Sequence, residues 1–406
     1  MPLLAPFRAL RPPPELAAGI ATPPYDVVSS AEARALAAGN PRSFFRISRP
    51  EVDLPPGIDE HSDPVHARGR MALDEFRRNG WLVLDDAPRF SLYRQRMGTH
   101  EQTGLVACAS VDAYGRGEIR RHELTRADKE DDRTRHIDTL GANDEPVFLA
   151  YRARPSLDAV LRRGAARSPD IRFTSDDGVQ HTVWVLPPSD SPAIQAAISE
   201  LDALYIADGH HRSAAAARVQ ALRRSRGEDA GEADWFLAVV FSHEALQILP
   251  YNRLVKDLGP GGGTALLEGL RRSFEVTPAP TPEPESRHRF GLYLDGRWWR
   301  LAARPEAIPG DAHGALDVSL LQQLVLGPLL GIHDPRRDPR IEFVGGIRGT
   351  GELQARVDRG EAQAAFALWP TSMQELLAIS DGGQIMPPKS TWFEPKLRSG
   401  LFLHPF

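Results

Sequence analysis

Cysteine is almost missing: Cys108 is the single thiol in 406 residues. Set in the apolar run Leu105-Val106-Ala107-Cys108, it excludes a disulfide framework and a cysteine zinc site, and it reads as a core residue. Lysine is nearly as scarce. Of 49 basic residues only Lys129, Lys256, Lys389 and Lys396 are lysines, so positive charge is written as arginine and each lysine stands out. No long apolar run is present; the most apolar stretch, 318–332, carries Gln322, Gln323 and Pro328 and predicts a buried helix, not a membrane span. Prolines break the N-terminal stretch where a signal peptide needs an unbroken apolar segment, so a cytoplasmic location without membrane attachment is expected. The common catalytic and nucleotide loops are also missing: there is no GxxxxGK[ST], no GxGxxG after a strand and no GxSxG elbow. His122-Glu123 lacks the second histidine four residues on that a zinc-protease helix requires. Nor is there a basic excess, since the net charge is −5, which argues against nucleic acid as the main partner.

What is present is an ordinary soluble composition, 41% hydrophobic and 25% charged, and a length that predicts two compact units. Residues 1–60 are proline-rich. There Ser29 or Ser30 caps a short helix over AEARALAAG, and Ser43–Ser48 reads as a strand. An amphipathic helix follows from Pro64 to Gly80, with Val65, Met71, Leu73 and Phe76 toward the core. A strand meander leads to the most charged passage, 120–151, which reads equally as a solvated helix or as the wall of a polar cleft holding His122, Glu123, Asp131, Asp132, Arg133 and His136. Further on, Trp235–Ser242 is an apolar strand. The low-complexity stretch 276–290, TPAPTPEPESRHR at its centre, divides the chain into 1–275, a loop or linker, and a C-terminal α+β subdomain over 291–406.

The most informative stretch is YIADGHHRSAAAA, residues 205–217. A short apolar strand meets Asp208-Gly209, and a helix begins at His210, His211 and Arg212. Strand, tight turn and helix start bring an arginine fork and free backbone N–H groups to one point, which suits an anion and above all a phosphate. In the plainer reading, Asp208 caps the helix and the histidines satisfy local hydrogen bonds. Lys389-Ser390-Thr391, after two prolines, is a second candidate phosphate loop in a chain that otherwise avoids lysine, or simply a surface loop.

The chain resembles, nearly end to end, a prokaryotic family known only as domain of unknown function 1015. The matching stretches are PPYDVVS, NPRSFFRISRPEVDLP, RHELT, KEDDR, AND-PVFLAY, YIADGHHRSAAA, LPYNRLVKDL and MPPKSTWFEPKLRSGL. Its Asp208–Arg212 turn is similar to that of ParB/sulfiredoxin-like proteins, a branch of which comprises free-serine kinases; genes of the family often neighbour serine-biosynthesis genes. This chain departs from the family at Ser213, where many members carry an aromatic residue, and at Leu124, where a lysine is common.

The resemblance implies a mixed α/β (α+β) fold with a ParB/sulfiredoxin-like nucleotide-binding core. It implies a phosphotransferase that uses ATP or ADP with Mg²⁺ and a small hydroxyl metabolite such as free L-serine. Gly209, His210, His211, Arg212, Arg133, Lys389, Ser390 and Thr391 would then hold the nucleotide. His122, Glu123 and Asp208 would be catalytic, Glu123 or Asp208 as base, and Asp132 would help place the metal. The expected partners are a nucleotide and a small-molecule substrate, with room for a homodimer. A nucleotide-dependent switch module and a metal-dependent phosphatase are the alternatives.

Overall fold

The computed structural model describes residues 2–229 and 231–406, which form two units: 2–246 together with 395–406, and 247–394. The proline-rich stretch, expected to be a loop or a linker, lies inside the second unit, between strands that share one sheet. Its first residues are themselves strand, Phe274–Pro278. The last twelve residues belong to the first unit, which composition gave no reason to expect.

The first unit is built on a mixed nine-stranded sheet. Its strands, in chain order, are β1 (Leu4–Ala5), β2 (Ser91–Met97), β3 (His100–Ser110), β4 (Ile119–Arg120), β5 (Val147–Tyr151), β6 (Ile171–Thr174), β7 (Gln180–Val185), β8 (Leu204–Asp208) and β9 (Trp235–Ser242). The order across the sheet is β4-β8-β5-β9-β3-β2-β7-β6, with β1 on β3. β8 runs parallel to β4 and antiparallel to β5, while β9 runs parallel to β5. The central strands are buried on both faces, which is why β5 and β9 read as unbroken apolar runs without alternation. Leu105, Val147, Leu149, Ile206 and Val240 share one core, each contributing ~1.5–3 kcal/mol of apolar burial. Cys108 lies in this sheet, fully buried.

The longer helices are α1 (Ser30–Ala37), α2 (Asp63–Arg78), α3 (Ala127–Leu140), α4 (Pro155–Ala165), α5 (Ser191–Ile198) and α6 (His210–Ser225). Ser29 caps α1 in a reciprocal box with Glu32. α6 packs Ala216 toward the sheet and Ala215 and Val219 against Ile137 of α3; its alanine run permits that close approach on two sides. Two sequence expectations are corrected here. Phe45–Ser48 is a helical turn, not a strand: Phe44, Phe45 and Ile47 are all buried, and Phe44 and Ile47, three apart, pack on Ala72, Leu73 and Phe76 of α2. Met71 faces solvent at 57% exposure, because Ala72 and Leu73 occupy the inward positions of α2.

The second unit carries an antiparallel six-stranded sheet of β10 (Tyr251–Val255), β11 (Phe274–Pro278), β12 (Arg289–Leu294), β13 (Arg297–Ala303), β14 (Ile341–Gly345) and β15 (Ala364–Leu368), in the order β11-β13-β12-β15-β10-β14. Leu254, Tyr293, Val344 and Leu353 form its core cluster. No helix among the described residues is long and apolar enough to cross a membrane.

Candidate functional site

Strand directions decide what meets at one edge of the first sheet. β4 and β8 are parallel, so the segments that follow them, from Arg121 and from Gly209, leave on the same side. β5 is antiparallel to β8, so the residues preceding it, Asp144-Glu145-Pro146, arrive at that side too. The carboxyl end of neighbouring strands is where open α/β sheets bind ligands. A bulge in the β5–β8 ladder between Ile206 and Asp208 turns the end of β8 out of register.

Gly209 caps α6 in the left-handed conformation, φ 97°. No side chain caps this helix, and its first turn holds no acidic residue. The helix start therefore keeps its positive end uncompensated. Asp208, half-buried, accepts a hydrogen bond from Lys396 Nζ at 2.9 Å and lies 3.6 Å from the Arg212 guanidinium. Burial pushes its carboxyl up, but Lys396 and Arg212 together hold it well below the usual carboxylate range. Lys396 is placed by two buried glutamines: Gln95 donates to its carbonyl at 2.7 Å, and Gln102 bonds Gln95 at 3.0 Å. Arg212, 7% exposed, donates to the Pro146 carbonyl and faces Asp26 at 3.8 Å. Its Nε is buried and has no hydrogen-bond partner, so one donor of the fork is left for a ligand.

The paired histidines do something other than supply two cations. His210 Nε2 accepts the backbone N–H of His122 at 3.4 Å, and His211 Nε2 accepts that of Arg126 at 3.1 Å. They pin the His122–Arg126 segment to the turn. The rings of His122 and His210 meet edge to face at 4.5 Å between centroids. Burial brings His122 down to about 4 and, with His122 beside it, holds His210 well below its ordinary value. Both are neutral near pH 7 and add no charge for an anion, whereas Arg212 and Lys396 are the cations beside Asp208. Glu123, half-buried, follows His122 in the pinned segment.

Behind the turn, Arg133 of α3 stacks over Tyr25 at 4.3 Å and is paired with Asp132 at 2.7 Å. Arg133, Arg212, Tyr25 and Glu145 line one cavity of about 10 Å³, room for a single water. Asp132, expected to help place a metal, is taken up by Arg133 and by His61 at 2.8 Å. Among the described residues no three His, Cys, Asp or Glu side chains are grouped as metal ligands.

Lys389, Ser390 and Thr391 belong to the second unit. Lys389 has a positive φ of 56° and its ammonium lies 5.6 Å over the Tyr251 ring. Ser390 spends its hydroxyl on the Pro387 carbonyl at 2.6 Å, as a turn-former does.

Four residues that sequence reasoning passed over belong to the site: Asp26, Glu145, Lys396 and Ser399. Glu145 accepts hydrogen bonds from the Tyr25 N–H at 3.1 Å and the Ser399 hydroxyl at 2.8 Å. Burial, with Asp144 beside it, pushes its carboxyl from the ordinary 4.5 up to about 8, against the lowering pull of Arg212. A carboxyl raised on folding stabilises the native state below its unfolded pKa and loses that contribution as pH rises through the folded value. Stability is therefore expected to fall between about pH 4.5 and pH 8, where Asp144 and Asp208 remain ionised. In Glu145→Gln, which keeps the neutral hydrogen-bonding shape, that fall should flatten, a difference on the order of a few kcal/mol at the alkaline end. Urea titrations of both proteins across this range check it; parallel curves would show that Glu145 is ionised throughout.

A family model described as "Protein of unknown function (DUF1015)" matches residues 4–319. No curated protein matches the chain significantly. Among solved structures, a conserved hypothetical protein from Pyrococcus furiosus aligns with TM-score 0.36 and 15% identity over 73% of this chain and 95% of its own. A free serine kinase in complex with AMP gives 0.35 and 14% over 73% and 92%. C-terminally truncated SbnI from Staphylococcus aureus gives 0.39 and 12% over 74% and 87%. Likenesses this loose carry no argument about chemistry.

Proposed function

Since the chain belongs to the DUF1015 family, whose description names no activity, we propose from the geometry of its first unit that it is a nucleotide-dependent phosphotransferase acting on a small hydroxyl metabolite, free L-serine first among candidates. The observation that carries this reading is the convergence at the end of β8. Arg212 has a buried, unpartnered Nε, Lys396 lies on Asp208, and an uncapped helix start completes the set. Together these are donors for phosphate oxygens, assembled without either common glycine loop. The D-G-H-H-R turn, similar to that of free-serine kinases, supports the same reading.

Phosphoryl transfer is mostly positioning and charge neutralisation. Arg212 and the first N–H groups of α6 hold the phosphates of ATP or ADP, and Lys396 sits close enough to share in this. Asp208, held ionised by two cations, is a poor base and organises those cations. Glu123, carried on the segment that His210 and His211 pin, is the carboxylate assigned to take the proton from the attacking hydroxyl. Mg²⁺ neutralises phosphate charge in reactions of this class, but among the described residues no cluster of three His, Cys, Asp or Glu side chains fits a protein-held metal, so no step is assigned to one.

Incubating the protein with L-serine and ATP, or L-serine and ADP, and following the reaction by ³¹P NMR is expected to show phosphoserine. Glu123→Gln should lower the rate at least a hundredfold, within the span of general-base effects, while nucleotide still binds. Nucleotide binding with no phosphorylated product from serine or other small alcohols would reduce the site to a binding module.

A further inference from the structure

The second unit holds a larger cavity, about 210 Å³, lined in part by Arg253, Val318, Gln322, Leu326 and Arg336. Arg253 projects from β10 and is 4% exposed. Among the described residues its guanidinium donates only to backbone carbonyls, those of Tyr251 at 2.7 Å, Lys389 at 3.0 Å, Asn252 at 3.4 Å and Pro388 at 3.5 Å, and it lies 4.4 Å over the Phe343 ring. It pairs with no carboxylate among the described residues. A buried arginine stays charged, and neutral carbonyls leave its net charge uncompensated. Burial without an acidic neighbour pulls it down to about 9, the opposite of Arg212, which carboxylates push up.

A second, independent mark lies across the cavity. Residues Gln322–Leu326 form a π-helical turn following Asp317–Leu321, a distortion that recurs at functional sites. It leaves Gln322 with Oε1 buried and without a partner, while its Nε2 donates to the Ile332 carbonyl at 2.7 Å. Such an acceptor needs a donor such as a hydroxyl or a protonated amine. Val318 and Leu326 add an apolar wall, and Arg336 is an exposed cation at the mouth. Asp334 is the one acidic residue in the lining. Its carboxyl is committed at the rim, accepting the Arg336 N–H at 3.1 Å and facing Arg337 at 3.8 Å.

We infer that this cavity is a binding site for a small organic anion, carboxylate or phosphate ester, that also carries a hydroxyl or amine donor. The anion meets Arg253, the donor meets Gln322 and the carbon skeleton lies along Val318 and Leu326. The site is separate from the Asp208–Arg212 turn in composition and lies wholly within the second unit.

Malonate, inorganic phosphate and the neutral analogue malonamide serve as probes in calorimetric titrations of the full chain carrying Arg212→Ala, which disables the phosphate turn of the first unit. Malonate or phosphate is expected to bind and malonamide not. Arg253→Lys should weaken the anion at least tenfold, since an ammonium lacks the planar fork, and Arg336→Ala two- to fivefold, as suits an exposed charge. Because Arg253 also ties the Pro388 and Lys389 carbonyls, Val318→Phe is the companion variant. It fills the cavity, leaves the guanidinium in place and should abolish binding. Failure of both anions to bind, or anion binding unchanged in Val318→Phe, overturns the assignment.

Discussion

Replacing Arg212 with alanine is expected to cut affinity for ATP and ADP at least a hundredfold, ~2.8 kcal/mol at 1.4 kcal/mol per tenfold, and to destabilise the first unit. Arg212 is the shared cation of the site. It faces Asp208 at 3.6 Å and Asp26 at 3.8 Å, and it donates to the Pro146 carbonyl. Its positive charge also opposes the upward push on Glu145. Removing one partner of a buried charge set costs about 3–5 kcal/mol. Asp26 is more than a third exposed and Asp208 keeps Lys396, so roughly half of that is expected here. Arg212→Lys separates the two effects. It restores positive charge, and with it most of the stability, but a point charge cannot reproduce the fork, so nucleotide affinity should remain at least tenfold low. Calorimetric titration with each nucleotide, beside urea unfolding of each variant, makes the comparison. Undiminished affinity in a folded Arg212→Ala protein would remove the turn from the nucleotide site altogether.

The local half of this site is legible in the sequence. Leu204–Asp208 followed by Gly209 and an alanine run can hardly be anything but strand, tight turn and helix, and Arg212 is one turn into that helix. Strand order is what joins His122 to His210, and that is a non-local fact. No periodicity announces that a two-residue strand, Ile119–Arg120, lies parallel to β8. The tail is harder still. Lys396 reaches Asp208 across 188 positions of sequence and Ser399 reaches Glu145 across 254. Lysine scarcity was the available signal, and it marks Lys389 and Lys396 alike. The hydroxyls beside Lys389 favour the former on chemistry, whereas geometry ties the latter to Asp208. Glu145 is missed for a related reason. Its burial depends on Tyr25, Arg212 and Ser399, drawn from three distant segments, so nothing in Asn143-Asp144-Glu145-Pro146 distinguishes its carboxyl from that of Asp144. Histidine chemistry misleads in the opposite direction. Two adjacent histidines beside an arginine suggest a cationic patch, yet burial keeps His210 neutral and the Nε2 atoms of His210 and His211 hold backbone amides.

Gly209→Ala is the second large effect, and it tests whether the turn's shape, beyond its charge, holds the ligand. At φ 97° the backbone sits where an L residue pays roughly 1–2 kcal/mol. An added Cβ would lie 3.1 Å from Arg212 Nε, 3.2 Å from its Cζ and 3.3 Å from the Val147 Cα. Val147 is the buried first residue of β5 and is fixed by the sheet, so the guanidinium is the group that must move. Displacing it pulls the unpartnered Nε away from its ligand position and loosens the contacts to Asp208 and Asp26. The expected outcome is a stability loss of about 2–3 kcal/mol, strain plus displacement, with nucleotide affinity down at least tenfold. Gly178 supplies the control. It also has a positive φ, 79°, but a Cβ there meets nothing within 4 Å. Gly178→Ala should therefore show the strain term alone, about 1 kcal/mol, with nucleotide binding unchanged. If both alanine variants lose equal stability and bind nucleotide like the parent protein, Gly209 is needed only to close the turn. The close approach of Arg212 to its backbone would then have no part in holding phosphate.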